Sequence, residues 1–162
     1  MDVDTLMIIR LAQLEDADKI SELWVGLVQY HYELDSAMPV TSASGKERYA
    51  TRIRNRLSDP LTRVLVAEVE GEVVAYVLAL IVELYPDLFE QDKSGYIADI
   101  FVEEDFRDQG IAKQFVQSLE AWFSENEVTY YEWSVAELNE RSKSFWNAIG
   151  GRVFMNRMRK EI

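Results

Sequence analysis

Apolar and polar positions change their period several times along this chain, and each change marks an element. Residues 7–11, MIIRL, are β-rich and predict a first strand. From Asp16 the spacing turns helical. Ile20, Leu23, Trp24, Leu27, Val28 and His31 fall on one face, Asp16 stands in a capping position, and a helix over 16–32 is predicted. Residues 33–44 hold Pro39 and small polar residues and read as a loop, and 45–57 reads as a second, more polar helix. Two strands follow, Thr62–Val69 and 73–84, with Glu70 and Gly71 as the turn of a hairpin. The loop 85–94 carries Pro86 and the acids Asp87, Glu90 and Asp92.

The next stretch holds the strongest signal. Tyr96 to Val102 is apolar except for Asp99 and reads as a mostly buried strand. A polar turn leads to Arg107, Asp108, Gln109, Gly110, Ile111 and Ala112. After Gly110 the period is helical, with Ile111, Phe115, Leu119 and Trp122 on one face. Residues 128–135, rich in Tyr and Trp, predict a further strand. Glu140–Ala148 predicts a short helix stopped by Gly150 and Gly151, and 152–161 predicts one or two closing strands. The order β, α, α, β, β, β, α, β, α, β predicts an α+β fold: a mixed, mostly antiparallel twisted sheet with helices on both faces.

Composition narrows the chemistry. The 162 residues, 48% apolar and 28% charged, fit one domain spanning 1–162. The absence of cysteine removes disulfides and thiolate nucleophiles. A single histidine removes a histidine-rich zinc site, and no metal is expected. A net charge of −12 argues against nucleic acid and anionic membrane as partners. No segment is long and apolar enough to span a bilayer, the start MDVDTLMIIR lacks a basic signal region, and a cytoplasmic protein is expected.

A strand, a tight turn and a helix start with small residues at Gly110 and Ala112 make an anion site in principle, since the first helical amides lack internal partners; a plain βα turn gives the same pattern. Here the chain resembles the GCN5-related N-acetyltransferase superfamily, through Arg107, Gly110 and Ala112 after a strand and through Asn139, Phe145, Trp146 and Gly150 further on. Within it, "DIFV", "VAELNE" and "FW" before a glycine look like the diamine (spermidine/spermine) acetyltransferase branch. The resemblance implies the acyl-CoA N-acyltransferase fold, acetyl-CoA as co-substrate, and direct transfer of acetyl to a primary amine of a small, cationic acceptor. The alternative is a catalytically weak acyl-CoA-binding sensor or partner module.

The resemblance also implies site residues. Backbone amides around Gln109, Gly110, Ile111, Ala112 and Lys113 hold pyrophosphate, with Arg107 and Lys113 adding charge. Asp108 is a departure from the usual glycine. The backbone of Ile100, Phe101 and Val102 pairs with the pantetheine arm, and the N–H of Phe101 or a neighbour is the oxyanion donor. Asn139 contacts the cofactor, caps the last helix, or does both. Trp146 lies where the branch has a tyrosine acid, and Ala98 where it has a glutamate, which leaves Asp99 either to handle the amine or to form a buried structural pair. His31, Glu33, Asp35, Glu83 and Asp87 are candidates for drawing in the acceptor. Tyr130, Tyr131 and Trp133 on one strand suggest a homodimer.

Overall fold

The computed structural model describes residues 6–85 and 87–162. Residues 1–5, on which the reading of the N-terminus partly rests, and Pro86 of the predicted loop lie outside the described residues. Within them the strands β1 (Met7–Leu11), β2 (Thr62–Val69), β3 (Glu72–Glu83), β4 (Lys93–Val102) and β5 (Tyr131–Trp133) form one sheet in that order. The first four pair antiparallel and β5 joins β4 parallel, so the expected mixed sheet is found. Helices α1 (Ala17–Leu34) and α2 (Gly45–Arg56) cover one face, and α3 (Ile111–Glu125) and α4 (Glu140–Ala148) the other.

Each face has its own core. Ile20, Leu23, Tyr49 and Ile53 pack on Val64, Val66, Tyr76 and Leu78. Phe115, Leu119, Trp122 and Phe123 pack on Leu65, Ala67, Val77 and Ile97. The helical period of α3 is what brings those four residues to one side. β3 runs through the middle and is buried on both faces, as its unbroken apolar sequence requires.

Asp16 stands before α1 as expected, but its side chain caps no amide of that helix. It closes the turn ahead of it, accepting from Gln13 N–H at 2.7 Å, and takes both arms of the Arg10 guanidinium at 2.7 and 3.0 Å. Arg10 Nε reaches Glu68 at 2.9 Å, so one fork fastens β1 to β2 and to the start of α1.

Two expectations are corrected. The strand predicted over 128–135 contracts to Tyr131–Trp133, because Val128 N–H is held by the Phe123 carbonyl at the end of α3 and the chain leaves β4 after Trp133. The tail forms no strand. A strand needs a partner edge, and beyond Gly151 the chain runs to the loop after α1, where Arg159 donates to the Ala37 carbonyl at 2.9 Å.

The Arg10–Asp16 fork carries a testable load. Its carboxylate is buried, and the Arg10 hydrogen bonds hold the Asp16 carboxyl below the usual range. Asp16→Asn is expected to lose about 2–3 kcal/mol in urea unfolding at pH 7, somewhat less than a fully buried pair because Arg10 is partly exposed. A lowered native pKa places that stability above the unfolded aspartate value of about 4. The gap to wild type should therefore vanish as pH falls through the depressed native value.

Candidate functional site

The site is built where β4 and β5 part. β5 pairs with β4 only at Gly95, Tyr96 and Ile97. One residue later β4 bulges: Ile97 faces Ala79 and Asp99 faces Leu78, which leaves Ala98 without a partner on β3. The bulge has two consequences. It puts Ala98 and Phe101 on the α1/α2 face, while Ile97, Ile100 and Val102 stay on the α3/α4 face. It also leaves the outer edge of β4 beyond Ile97 with no strand beside it among the described residues.

The register says which backbone groups face that gap. Glu103 N–H donates to the Val74 carbonyl at 3.0 Å, so Phe101, two residues back, turns its N–H to β3, opposite Tyr76. Ile100 and Val102 turn theirs outward. Of the N–H groups expected as oxyanion donor, that of Phe101 is therefore turned into the sheet and that of its neighbour Ile100 faces the gap. The Val102 carbonyl, also outward, accepts from Arg107 Nε at 3.0 Å.

That contact corrects the expectation for Arg107. Its guanidinium lies over the rings of Tyr30 and Phe101, 5.0 and 5.6 Å from their centres, and pins the end of β4 to α1. Lys113, the other expected cation, lines a cleft of about 250 Å³ between α3 and α4 with Val116, Gln117, Glu120, Ala148 and Ile149.

The start of α3 is open. Gly110 is its N-cap in the left-handed region (φ 82°), no side chain caps the first amides, and a Cβ there would meet nothing within 4 Å. Gln109 bends its amide back to the Asp105 carbonyl and offers only backbone. Asp108, also left-handed at φ 62°, turns its exposed carboxylate to Arg141 at 2.8 Å. The misplaced anion is thus paired with α4 and directed away from the amides of Ile111, Ala112 and Lys113. Asn139 caps α4, accepting from Ser142 N–H at 3.1 Å. Trp146, expected at the cofactor, is 4% exposed and sits in the core against Trp133, with ring centres 4.2 Å apart; it walls the gap from behind.

Across β4 lies the acceptor side. Asp99 is half-buried and accepts a 2.5 Å hydrogen bond from Tyr49 of α2, whose hydroxyl is 3.4 Å from that of Tyr76. Trp24 stacks flat on Tyr49 at 4.5 Å. Burial raises the Asp99 carboxyl, opposed by the Tyr49 hydrogen bond and by the charges of His31 and Arg52. Burial lowers His31, against the pull of Asp99. Tyr49 rises well above the ordinary phenol value through burial and the Asp99 charge, which keeps it a proton-bearing donor. Neither Tyr49, Tyr76 nor Arg52 was singled out from the sequence. An Asp in a buried strand needed partners, but nothing in the spacing said that α2 supplies them.

Of the other acceptor candidates, Glu33 lines a groove of about 420 Å³ between α1 and the end of β4, with Lys19, Glu22, Tyr30, Phe101, Glu103, Glu104 and Arg107 along it. Four carboxylates face two cations there. Asp35 is spent on the turn after α1, accepting from Ala37 N–H at 2.9 Å. Glu83 and the exposed Asp87 are not brought to this site. Glu83 ends β3 five residues beyond Leu78, roughly 17 Å along the strand from the partner of Asp99.

The geometry agrees with what the chain matches. The family model described as acetyltransferase (GNAT) family matches residues 28–150. No curated protein matches the chain in sequence. Among solved structures, a multiply mutated protein from Bacillus halodurans is 26% identical, with 96% of this chain and 99% of that one covered and a TM-score of 0.82. A predicted acetyltransferase from Clostridium acetobutylicum, solved with acetyl-CoA, is 15% identical, with 96% of each chain covered and a TM-score of 0.74. An aminoglycoside N-acetyltransferase in complex with CoA is 18% identical, with 99% of each chain covered and a TM-score of 0.72. The last two likenesses concern the fold.

Gly110→Trp tests the open cradle. The substitution fills the space at the start of α3 and is expected to abolish CoA binding in calorimetry, with the far-UV circular dichroism retained. Undiminished CoA affinity in a folded variant places the cofactor elsewhere.

Proposed function

The chain belongs to the acetyltransferase (GNAT) family, and on that premise we propose that it moves acetyl from acetyl-CoA to the primary amine of a small, cationic acceptor by direct attack. Acetyl transfer with acetyl-CoA as co-substrate follows from the family; the acceptor and the residue roles are this reading's own. The observation that carries it is Asp99, a carboxylate that the Ala98 bulge turns onto the α1/α2 face of the strand that edges the gap.

In this reading the pyrophosphate rests on the amides of Gly110 to Lys113, and the pantetheine arm pairs with the outward backbone groups of Ile100 and Val102, replacing the missing strand. The acceptor enters as an ammonium, drawn by the excess of carboxylates in the α1 groove. Asp99 takes its proton, the neutral amine attacks the thioester carbonyl, and the Ile100 N–H donates to the carbonyl oxygen as it gains charge. The carbon–sulfur bond breaks, the CoA sulfur leaves as thiolate, and the nitrogen's second proton passes to that thiolate or to water to give the neutral amide. Burial serves the proton transfer, because a carboxylate raised above its usual range is a stronger base. Tyr49 is a positioning residue that holds the Asp99 carboxylate and limits how far burial raises it.

The reading also takes 1–162 as one catalytic domain working in the cytoplasm as a homodimer. The aromatic residues of β5 give the dimer little support. Tyr131 and Trp133 are stacked inward on Phe123 and Trp146, and Tyr130 alone of the three is well exposed.

The experiment is turnover of acetyl-CoA with a panel of polyamines, diamines, lysine-like amines and neutral or anionic amines. Cationic amines are expected to be acetylated. Turnover of neutral or anionic amines alone overturns the acceptor class, and tight CoA binding with no turnover favours the sensor. Asp99→Asn is expected to lower kcat by about 10²- to 10⁴-fold. Its acidic limb in the pH–rate profile, which in wild type lies above the ordinary carboxylate range, should disappear. The sign of the stability change is opposite to that at Asp16. A carboxyl raised in the native state contributes stability below its unfolded pKa and loses it as pH rises through the native value, so removing the anion should leave the variant at least as stable at pH 7. Tyr49→Phe should keep activity but move the acidic limb to higher pH, since the anion loses its donor.

A further inference from the structure

α2 is a basic helix on an acidic molecule. Among its twelve residues Lys46, Arg48, Arg52, Arg54 and Arg56 are cationic and Glu47 alone is acidic, on a chain of net charge −12. The flank that meets α1 has its cations neutralised: Lys46 holds Glu22 at 3.0 Å and Arg54 holds Asp18 at 2.8 Å. Arg52 lies on the other flank, exposed, and holds no carboxylate among the described residues. It stands three residues after Tyr49, which makes the two neighbours on the helix surface. Tyr49 turns inward and donates to Asp99, so Arg52 sits at the solvent rim of that pair. Its charge reaches both members, favouring the Asp99 anion and opposing the rise of the Tyr49 phenol.

A guanidinium without a carboxylate works against the proposed chemistry at this place. It repels an incoming ammonium, and by stabilising the Asp99 anion it weakens Asp99 as a base. Both costs disappear when the acceptor brings an anion of its own. A carboxylate on the acceptor turns the repulsion into a charge-assisted, two-pronged contact. It also takes up the charge that lowers Asp99, so that binding strengthens the base when the amine arrives.

We propose that the acceptor is an amine that also bears a carboxylate, a dibasic amino acid in class, with Arg52 of α2 binding the carboxylate while Asp99 meets the amine. The inference rests on the reading of Asp99 given above and names which cationic amine fits it. A dibasic amino acid keeps a net positive charge, so the carboxylates of the α1 groove still favour its entry. A doubly charged phosphate in place of the carboxylate removes that net positive charge, and the same groove opposes it. Arg52 then selects among cations by a group remote from the reacting nitrogen, and a plain diamine of the same length meets the guanidinium with its second ammonium instead.

The test compares lysine with cadaverine, which has the same two amines on the same carbon chain and lacks the carboxylate, and with lysinamide, which keeps the carbonyl without its charge. On the full chain kcat/KM for lysine should exceed that for either by about tenfold to a hundredfold, most of it in KM. Arg52→Gln should bring lysine down to the level of cadaverine, and Arg52→Lys should keep part of the preference. Asp99 is faced by Tyr49 and Arg52 of α2, His31 of α1 and Tyr76 of β3, and of these only Arg52 is changed. The acidic limb of kcat/KM with cadaverine should therefore move to higher pH in Arg52→Gln, as Asp99 loses a cation that favours its anion. Calorimetry of the three compounds on the unmodified protein with CoA bound should give the same order, a readout that needs neither turnover nor a folded variant. Selective binding of lysine without turnover supports the carboxylate site and counts against Asp99 as the base. Equal turnover of the three compounds overturns the inference and leaves the cationic acceptor standing. A preference for lysine that survives Arg52→Gln overturns the assignment to Arg52.

Discussion

The candidate site depends on one defect in the sheet: among the described residues, β4 is paired on one side only after Ile97. A buried strand edge with unpaired amides and carbonyls is costly unless something satisfies it. The chain gives part of the answer itself, with Arg107 taking the Val102 carbonyl. The rest of the edge suits an extended ligand with amide groups of its own. The bulge at Ala98 is the same device seen from the side. By inserting a residue it reverses the alternation, so that Asp99 faces α2 while the backbone of Ile100 faces the gap. The proposed base and the proposed oxyanion donor thus come from adjacent residues of one strand.

Electrostatics follows the same division. On the α3 side the chain prepares for an anion: uncapped amides, Lys113 in the cleft, and an Asp108 carboxylate tied to Arg141 and so kept from the amides. On the α1 side it prepares for a cation, with Glu22, Glu33, Glu103 and Glu104 along the groove against Lys19 and Arg107. Lys19 is itself paired with Glu103 at 2.9 Å, which weakens its opposition to an entering ammonium. The two half-sites have opposite charge and meet across a strand one residue thick.

How much of this was legible depends on the range of the interaction. The elements were, because helical and alternating periods are local. α2, β2 and α4 stand within a residue of expectation, and the cradle at Gly110 was readable because its motif is contiguous. Tyr49 was invisible, since its partner Asp99 is fifty residues away and joined to it only by the packing of α2. The parity of Phe101 and Ile100 was also out of reach, because a single bulge reverses it and nothing in "ADIF" announces a bulge. Arg107 was misassigned for a related reason: a motif position does not say where a long side chain turns. The tail misled in the opposite sense. It reads as one or two strands, but the reading does not supply the edge that a strand must join.

The proposed reaction leaves the leaving group to consider, and two aromatic side chains bear on it. Trp146 stands in the expected acid's place but is sunk in the core, and an indole N–H donates without giving up its proton. Tyr131 is near, but its hydroxyl donates to Glu120 at 2.8 Å, and burial together with that partner raises its pKa well above the ordinary phenol value. The departing sulfur needs little help, because a thiol with a pKa of about 8.5 leaves readily as its thiolate. In the proposed reaction the demanding proton transfer is therefore the earlier one, from a cationic amine. To that transfer the proposal assigns a half-buried carboxylate, the tyrosine that holds it and the acidic groove beside it.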